Sequence, residues 1–144
     1  MSSTLQILGR TLKRVQHRHH RLLDSRLSVI GTTLVQWDAL KAIKRHPLSS
    51  SHDLAVATFQ TDQAFGTLAS RLVDRGLIER VAGPGRSVLH SLTPAGEDML
   101  RLGHGVVNEV LAVSFAALSG ADRKTLHALL LKTLGEDGPA TDAG

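Results

Sequence analysis

Residues 50–96 read SSHDLAVATFQTDQAFGTLASRLVDRGLIERVAGPGRSVLHSLTPAG, and this stretch decides the fold. Ser50 is a capping residue that predicts the start of a short helix, and residues 58–60 are the predicted turn after it. Thr61 or Asp62 is the predicted cap of a second, amphipathic helix. Two short helices joined by a tight turn are therefore predicted at the start of this stretch.

The second half of the stretch predicts a small β-ribbon. Gly76 stands where the second helix is predicted to end, because glycine readily adopts the left-handed conformation after a last helical turn. Residues 77–81 and 87–92 are short strand-like runs, and residues 82–85 between them suit a hairpin turn. Helix, turn, helix and ribbon in this order predict a winged helix-turn-helix, whose second helix can lie in the DNA major groove while the ribbon reaches the backbone.

Helices are also predicted on both sides of this unit. The expected fold class is mainly α with a small β-ribbon wing, in which the winged helix-turn-helix spans about 33–100. The outer helices, at about 3–25 and 94–135, carry more apolar surface than one small domain usually covers, which predicts pairing in a two-fold homodimer. We therefore expect a single domain over residues 1–135, followed by a disordered tail at 136–144.

Composition restricts the class of protein. The 144 residues contain no Cys, which excludes disulfides and thiolate metal sites, and the early charges argue against a signal peptide. The positive charge is uneven: residues 1–46 hold nine Lys and Arg against two Asp, residues 47–96 hold four of each sign, and residues 97–144 are acidic. A cytoplasmic protein is predicted, with polyanions among its candidate partners.

Two motifs in this order resemble the MarR family of bacterial transcriptional regulators. They are LVDRGLIER at residues 72–80 and SLTPAG at residues 91–96, supported by Leu54-Ala55 and by Arg86. The resemblance covers roughly residues 33–100. It implies a triangular dimer with two winged units on a pseudo-palindromic DNA site. It also implies repression that ends when a small ligand, often phenolic or carboxylic, binds between the shared apex and the winged units.

Three positions depart from the usual pattern of that family. Phe59 stands in the helix-helix turn where the family usually has Gly, and Gln60 follows where an apolar residue is usual. Pro84 occupies the place of an Asp that usually pairs with the wing arginine two residues later. The turn and the wing tip of this chain are therefore expected to be held differently.

The predicted DNA contacts lie on the exposed face of the second helix and at the wing. Gln63 is suited to bidentate pairing with adenine, and Thr67 to a thymine methyl group or a phosphate. Arg71 is predicted to serve a phosphate or an internal ion pair, and Arg86 to enter the minor groove or hold phosphates. The full predicted set is Asp62, Gln63, Gly66, Thr67, Ser70, Arg71 and Arg86.

A ligand pocket is harder to predict. Trp37, the only Trp, is expected either to pack in the core or to line an effector pocket together with His17 and Arg21. The excess positive charge of residues 1–46 favours an anionic effector. Together with the phenolic or carboxylic ligands that the family resemblance implies, it suggests an anionic aromatic one. The alternative use of that charge is phosphate contact through Lys41, Lys44 or Arg45, at the end of another predicted helix that begins at the capping box of Thr33 and Gln36 and stops at His46-Pro47.

Other functions have less support in the sequence. His17, His19 and His20 suggest a metal-responsive regulator of the same fold, although no Cys or nearby Glu completes a site, so no metal site and no cofactor are predicted. No nucleophile elbow, phosphate loop or carboxylate pair predicts an enzyme. The prediction is a dimeric, ligand-released DNA-binding repressor. The neutral charge of residues 47–96 keeps open a helical dimer that uses the winged unit to bind protein.

Overall fold

Six helices and three short strands make up residues 3–136, the part of the chain that the computed structural model describes. The predicted class, mainly α with a small β wing, is confirmed. The predicted tail at 136–144 lies, apart from Glu136, outside the described residues. The helices are α1 Thr4–Val29, α2 Leu34–Arg45, α3 Ser51–Ala57, α4 Asp62–Asp74, α5 Pro94–Ser114 and α6 Gly120–Thr133; the strands are β1 Ser49–Ser50, β2 Ile78–Ala82 and β3 Val88–Leu92.

Hydroxyl side chains begin the helices of the winged unit, as the sequence predicts. The hydroxyl of Ser50 accepts a hydrogen bond from the amide of Asp53 at the start of α3. Of the two predicted caps of α4, Thr61 has this role, because its hydroxyl accepts from the amide of Ala64. Each cap satisfies a backbone donor that has no partner inside its own helix. The helix starts are therefore determined locally.

Helix α1 is longer than predicted. It continues to Val29 instead of ending near residue 25, and Leu27 extends its buried face by one turn beyond Leu23. The helix ends only before Gly31, which has a φ of 86°. A left-handed residue stops the helical hydrogen bonding at that point.

The wing contains three strands, whereas the sequence predicted two. The strand order is β1-β3-β2, and all neighbours are antiparallel. Strand β1 pairs Ser49 with His90 of β3, and the amide of Leu48 donates to the carbonyl of His90. A strand of two residues has no side-chain periodicity, so the sequence prediction missed it.

The core lies where α2 packs between the winged unit and α5. Leu40 and Ile43 of α2 are buried, as are Leu54 of α3, Phe65 of α4 and Leu100 of α5. The ring of His90 is also fully buried: its Nδ1 lies 2.9 Å from the carbonyl oxygen of Ser49. These contacts hold the helix-turn-helix and the wing as one unit against α2.

The two sequence motifs meet where α5 begins. The hydroxyl of Thr93 donates to the carbonyl of Gly76 at 2.6 Å and accepts from the amide of Gly96. A Cβ on Gly96 would lie 2.0 Å from the carbonyl oxygen of Leu77, so only glycine permits this approach. These contacts join the end of α4 to the start of α5 and so fix the direction in which α5 leaves the winged unit.

Large apolar side chains remain exposed on the outer helices. Leu5 of α1 is 78% exposed, Val113 of α5 is 75% exposed, and Leu134 just after α6 is 71% exposed. Soluble monomers rarely expose many such residues together. Within residues 3–136, no helix combines the length and apolar character needed to cross a membrane.

Candidate nucleic-acid interface

Helix α4 presents one polar face to solvent. Phe65 and Leu68 point into the core, whereas Gln63, Thr67 and Ser70 are exposed on the opposite side. Their spacing of three or four residues places them in one stripe along the helix. The structure thus brings together most of the predicted DNA contacts on a single surface.

Some of these polar groups already have partners. A carboxylate oxygen of Asp62 lies 3.0 Å from Nδ1 of His52 on α3. The hydroxyl of Thr67 donates to the carbonyl of Gln63, one turn earlier. Asp62 is therefore held against α3 at the start of α4, while the amide of Gln63 is exposed and faces outward.

The two arginines predicted to contact DNA are exposed. Arg71 lies in the last turn of α4 and Arg86 at the wing tip, and neither has an ion pair among residues 3–136. The tip is closed by a hydrogen bond from the amide of Gly83 to the carbonyl of Ser87 and by Gly85 at a φ of 63°. The backbone turn therefore fixes the position of the Arg86 main chain. Within residues 3–136, no carboxylate pairs with its side chain.

Sequence reasoning missed Arg80 of β2. Its Nη2 lies 3.1 Å from the hydroxyl oxygen of Ser70 and 3.5 Å from the carbonyl oxygen of Gly66. Ser70 also donates to the carbonyl of Gly66, so its hydroxyl is engaged on both sides. The strand register, which pairs Arg80 with the buried His90, directs Arg80 toward α4, and that register cannot be derived from the sequence motif.

Arg75, just after α4, connects the end of that helix to the start of α2 and to the segment before it. Its Nη1 donates to the side-chain oxygen of Gln36 at 2.6 Å, and its Nη2 donates to the carbonyl of Gly31. Both partners belong to the α1–α2 connection or the first turn of α2. Arg75 therefore joins the end of α4 to the α1–α2 connection and to α2.

Within the described protomer, Trp37 lies in the core and away from His17 and Arg21, so the pocket suggested for these three residues stays a prediction. Trp37 is only 2% exposed, and its ring nitrogen donates to the carbonyl of Leu100. Among residues 3–136, no hydrogen bond, ion pair or ring contact joins Trp37 to His17 or Arg21, which are exposed on α1. The reason is the packing of α2 on α5: Gly103 provides the space that the indole fills.

A different cavity lies between α2 and the helix-helix turn. It measures about 390 Å³ and is lined by Asp38, Lys41, Ala42, Arg45 and His46 of α2 and its end, and by Ala57, Thr58 and Phe59 of the helix-helix turn. Partial desolvation raises the pKa of the Asp38 carboxyl, while the positive charges of Lys41 and His20 oppose that rise. The cavity therefore combines cationic groups with one carboxylate that is less acidic than usual.

Phe59 is the most unusual residue of this cavity. It is 98% exposed and has a φ of 58°, in the left-handed region that disfavours side chains other than glycine. This conformation agrees with the expectation that the turn is held differently from the family pattern, in which Gly is usual at this position. An exposed aromatic ring on a strained backbone is a candidate for ligand contact.

The remaining cations and histidines have other surroundings. Lys44 forms an ion pair with Glu97 of α5 at 2.9 Å, and the Lys41 ammonium lies 5.7 Å from the centre of the Trp37 ring. His20 lies 3.7 Å from Asp24, and His19 packs edge-on against Phe115. Within residues 3–136, no three His, Cys, Asp or Glu side chains come together as a metal site would require.

Comparison with known proteins agrees with this geometry. The family model described as MarR family matches residues 30–87. The HTH-type transcriptional repressor Rv2887 of Mycobacterium tuberculosis is 31% identical over 132 residues, which cover 90% of this chain and 94% of the relative. The chain belongs to the MarR family.

Solved structures of the MarR family superpose on the whole architecture. A mutant MarR from E. coli complexed with operator DNA has a TM-score of 0.85 at 27% identity, covering 92% of this chain and 99% of that one. Rv2887 in complex with salicylic acid has a TM-score of 0.72 at 30% identity, covering 88% and 95%. BpsR of Bordetella bronchiseptica, whose DNA binding is regulated by 6-hydroxynicotinic acid, has a TM-score of 0.81 at 25% identity, covering 88% and 98%.

Proposed function

We propose that this protein is a dimeric transcriptional repressor of the bacterial cytoplasm that binds DNA through α4 and the wing and performs no catalysis. The observation that carries the proposal is the exposed polar face of α4 beside the arginine-bearing wing. A helix of this kind fits the major groove, and a wing reaches the flanking backbone. The complex of MarR with operator DNA supports the same use of this architecture.

The outer helices support a dimer. Helices α1, α5 and α6 expose apolar side chains that a second copy would cover, as the values for Leu5, Val113 and Leu134 indicate. A two-fold axis through these helices would present two copies of α4 to one face of a DNA duplex. We propose that residues 1–135 form one domain and that the segments at 3–25 and 94–135 make the dimer contact.

We also propose that an aromatic carboxylate is the effector and that it occupies the cavity on α2. The complexes of Rv2887 and BpsR support this class of ligand. Lys41 and Arg45 line the cavity and supply positive charge for a carboxylate, while the exposed ring of Phe59 offers a surface for stacking. Asp38 is placed to accept a hydrogen bond from a ring hydroxyl.

The position of the cavity suggests how binding would release DNA. It lies between α2 and the turn that precedes α4, so a ligand there would contact both α2 and the segment that leads into α4. A ligand that binds better when this gap is wider would favour dimers whose two α4 helices no longer match the half-site spacing. Such a population shift requires no contact between ligand and DNA.

The DNA-binding proposal is tested with the wing arginine. Fluorescence anisotropy would measure binding to a duplex from the intergenic region beside the gene, at a stated salt concentration. Arg86→Ala should weaken binding by roughly tenfold or more across the dimer, because each wing then lacks one charge-assisted hydrogen bond. Arg101→Ala on α5 is the control: Arg101 is exposed and pairs with Asp98, so a variant that remains dimeric in size-exclusion chromatography should bind DNA normally. Equal affinity for Arg86→Ala and wild type would favour a winged unit that binds protein.

The effector proposal needs a separate measurement. Salicylate would be titrated into the free protein by calorimetry and into the protein–DNA complex by anisotropy. Lys41→Ala should weaken salicylate binding, whereas Lys44→Ala, one turn along the same helix and outside the cavity, should not. Unchanged salicylate affinity in Lys41→Ala would contradict the assignment of the cavity while leaving DNA binding unaffected.

A further inference from the structure

Arg80 gives positive charge to the exposed face of α4, although the winged unit as a whole is neutral. Residues 47–96 have no net charge, yet a DNA-binding surface needs cations for the phosphates. The net charge of zero is the sum of four cations and four carboxylates that lie on different sides of the winged unit. Asp62 is held by His52 at one end of α4, whereas Arg80 lies over the middle of its exposed face. The local charge there is therefore positive although the segment is neutral.

The guanidinium of Arg80 is held by neutral groups only. Its two partners are the hydroxyl of Ser70 and the carbonyl of Gly66, and among residues 3–136 no carboxylate lies within ion-pair distance of it. Neutral acceptors orient a guanidinium without compensating its charge. Arg80 also keeps donors free for another acceptor, because a guanidinium has five N–H groups.

The surface of α4 beside Arg80 has room at Gly66. A Cβ built on Gly66 would have no atom within 4 Å apart from its chain neighbours and the backbone of its own helix. A backbone phosphate could therefore come close to α4 at this point without meeting a side chain. The two residues that border the opening, Ser70 and Arg80, provide one anchoring hydroxyl and one cation.

We infer that Arg80 is a DNA-phosphate contact of the proposed repressor and that Ser70, one of the predicted DNA contacts, is instead the positioning residue that orients Arg80. This inference rests on the proposed function. Arg80 would bind the phosphate strand that borders the major groove, between α4 in the groove and the wing beside it. It adds one cation per protomer to those that sequence reasoning assigned to DNA.

The test is the salt dependence of DNA binding. Removing one phosphate-binding cation reduces the slope of log K against log salt by about 0.9 for B-DNA, so Arg80→Gln should reduce it by about two across the dimer. The affinity should fall by roughly tenfold per half-site, the size expected for one charge-assisted hydrogen bond, and should fall equally for the intergenic duplex and a mixed-sequence 30-base-pair duplex. Arg80→Lys should keep the slope, since it keeps the charge.

Two further variants separate the orienting role of Ser70 from the contribution of the Arg80 charge. Ser70→Ala should keep the wild-type salt slope and weaken binding less than Arg80→Gln does, because the cation remains and only its anchor is removed. Arg101→Gln on α5 is the matched control, because Arg101 is exposed and its charge is paired with Asp98. A variant that size-exclusion chromatography shows to be dimeric should keep both affinity and slope. Thermal unfolding of each variant shows whether a weaker affinity arises from an unfolded protein.

The outcomes are distinguishable. A stable Arg80→Gln protein with the wild-type slope would show that Arg80 only braces α4, and would overturn the inference while the repressor proposal stands. A wild-type protein that binds neither duplex would overturn both. A reduced slope in Arg80→Gln together with a normal slope in Ser70→Ala is the result that the geometry predicts.

Discussion

Two glycines of α5, two residues apart, should respond in opposite directions to the same substitution. A Cβ on Gly103 would lie 1.9 Å from Nε1 and 2.2 Å from Cδ1 of Trp37, whereas a Cβ on Gly105 would have nothing within 4 Å. Ordinary carbon contacts are about 3.5–4 Å, so Gly103→Ala requires the indole or the helix to move by more than about 1 Å. Gly105→Ala requires no movement.

The magnitude follows from what that movement breaks. Overpacking a core costs about 1–3 kcal/mol, and displacing the indole also removes its 3.2 Å hydrogen bond to the buried Leu100 carbonyl, worth about 1 kcal/mol. The gain from replacing a helical glycine by alanine, about 1 kcal/mol, offsets part of this cost. We expect Gly103→Ala to lower the free energy of unfolding by about 2 kcal/mol and Gly105→Ala to raise it by about 0.5–1 kcal/mol.

Trp37 itself reports the result. It is the only Trp, so urea unfolding followed by its fluorescence measures the environment that Gly103→Ala perturbs. All variants would be compared at one protomer concentration, since dimerisation links stability to concentration, and size-exclusion chromatography would check that they share one oligomeric state. A Gly103→Ala midpoint equal to or above that of Gly105→Ala would refute the close packing of α2 on α5.

Three other substitutions test the turn, the recognition helix and the joint at α5. Phe59→Gly should raise the free energy of unfolding by about 1 kcal/mol, because glycine tolerates the left-handed backbone, and should weaken salicylate binding in calorimetry; tighter binding would contradict the stacking role. Gly66→Ala should stabilise the free protein by about 0.5–1 kcal/mol in urea unfolding yet weaken DNA binding in anisotropy, and undiminished binding would mean that no phosphate approaches α4 there. Thr93→Val should destabilise by about 1–3 kcal/mol in thermal or urea unfolding, since it removes both the cap of α5 and the bond to Gly76; a decrease below about 0.5 kcal/mol would contradict that joint.

Local chemistry is what the sequence predicts well. Ser50, Thr61 and Thr93 begin helices because a hydroxyl and a nearby amide are all that a cap requires, and Gly76 ends α4 because one backbone conformation suffices. Two motifs with this local content were enough to indicate the family. These features depend on residues within a few positions of each other, so they need no knowledge of the fold.

The parts that the sequence could not predict depend on contacts between distant segments. Strand β1 exists only because β3 lies beside it, and Arg80 reaches Ser70 only because the strand register directs it there. The sequence left two roles open for Trp37, packing in the core or lining a pocket. Its place in the core depends on Gly103 of another helix, which provides the space for the indole.

By itself, the sequence of this protein therefore determined the helix boundaries to within a few residues, the wing and the family. The tertiary structure decided that Arg80 lies against α4, that a cavity forms between α2 and the helix-helix turn, and that Arg75 joins the end of α4 to Gly31 and Gln36. The physical reason is the distance along the chain over which each interaction acts. Caps and turns are satisfied within one helical turn, whereas the direction of a side chain across an interface follows from packing that is settled only when the whole core has formed.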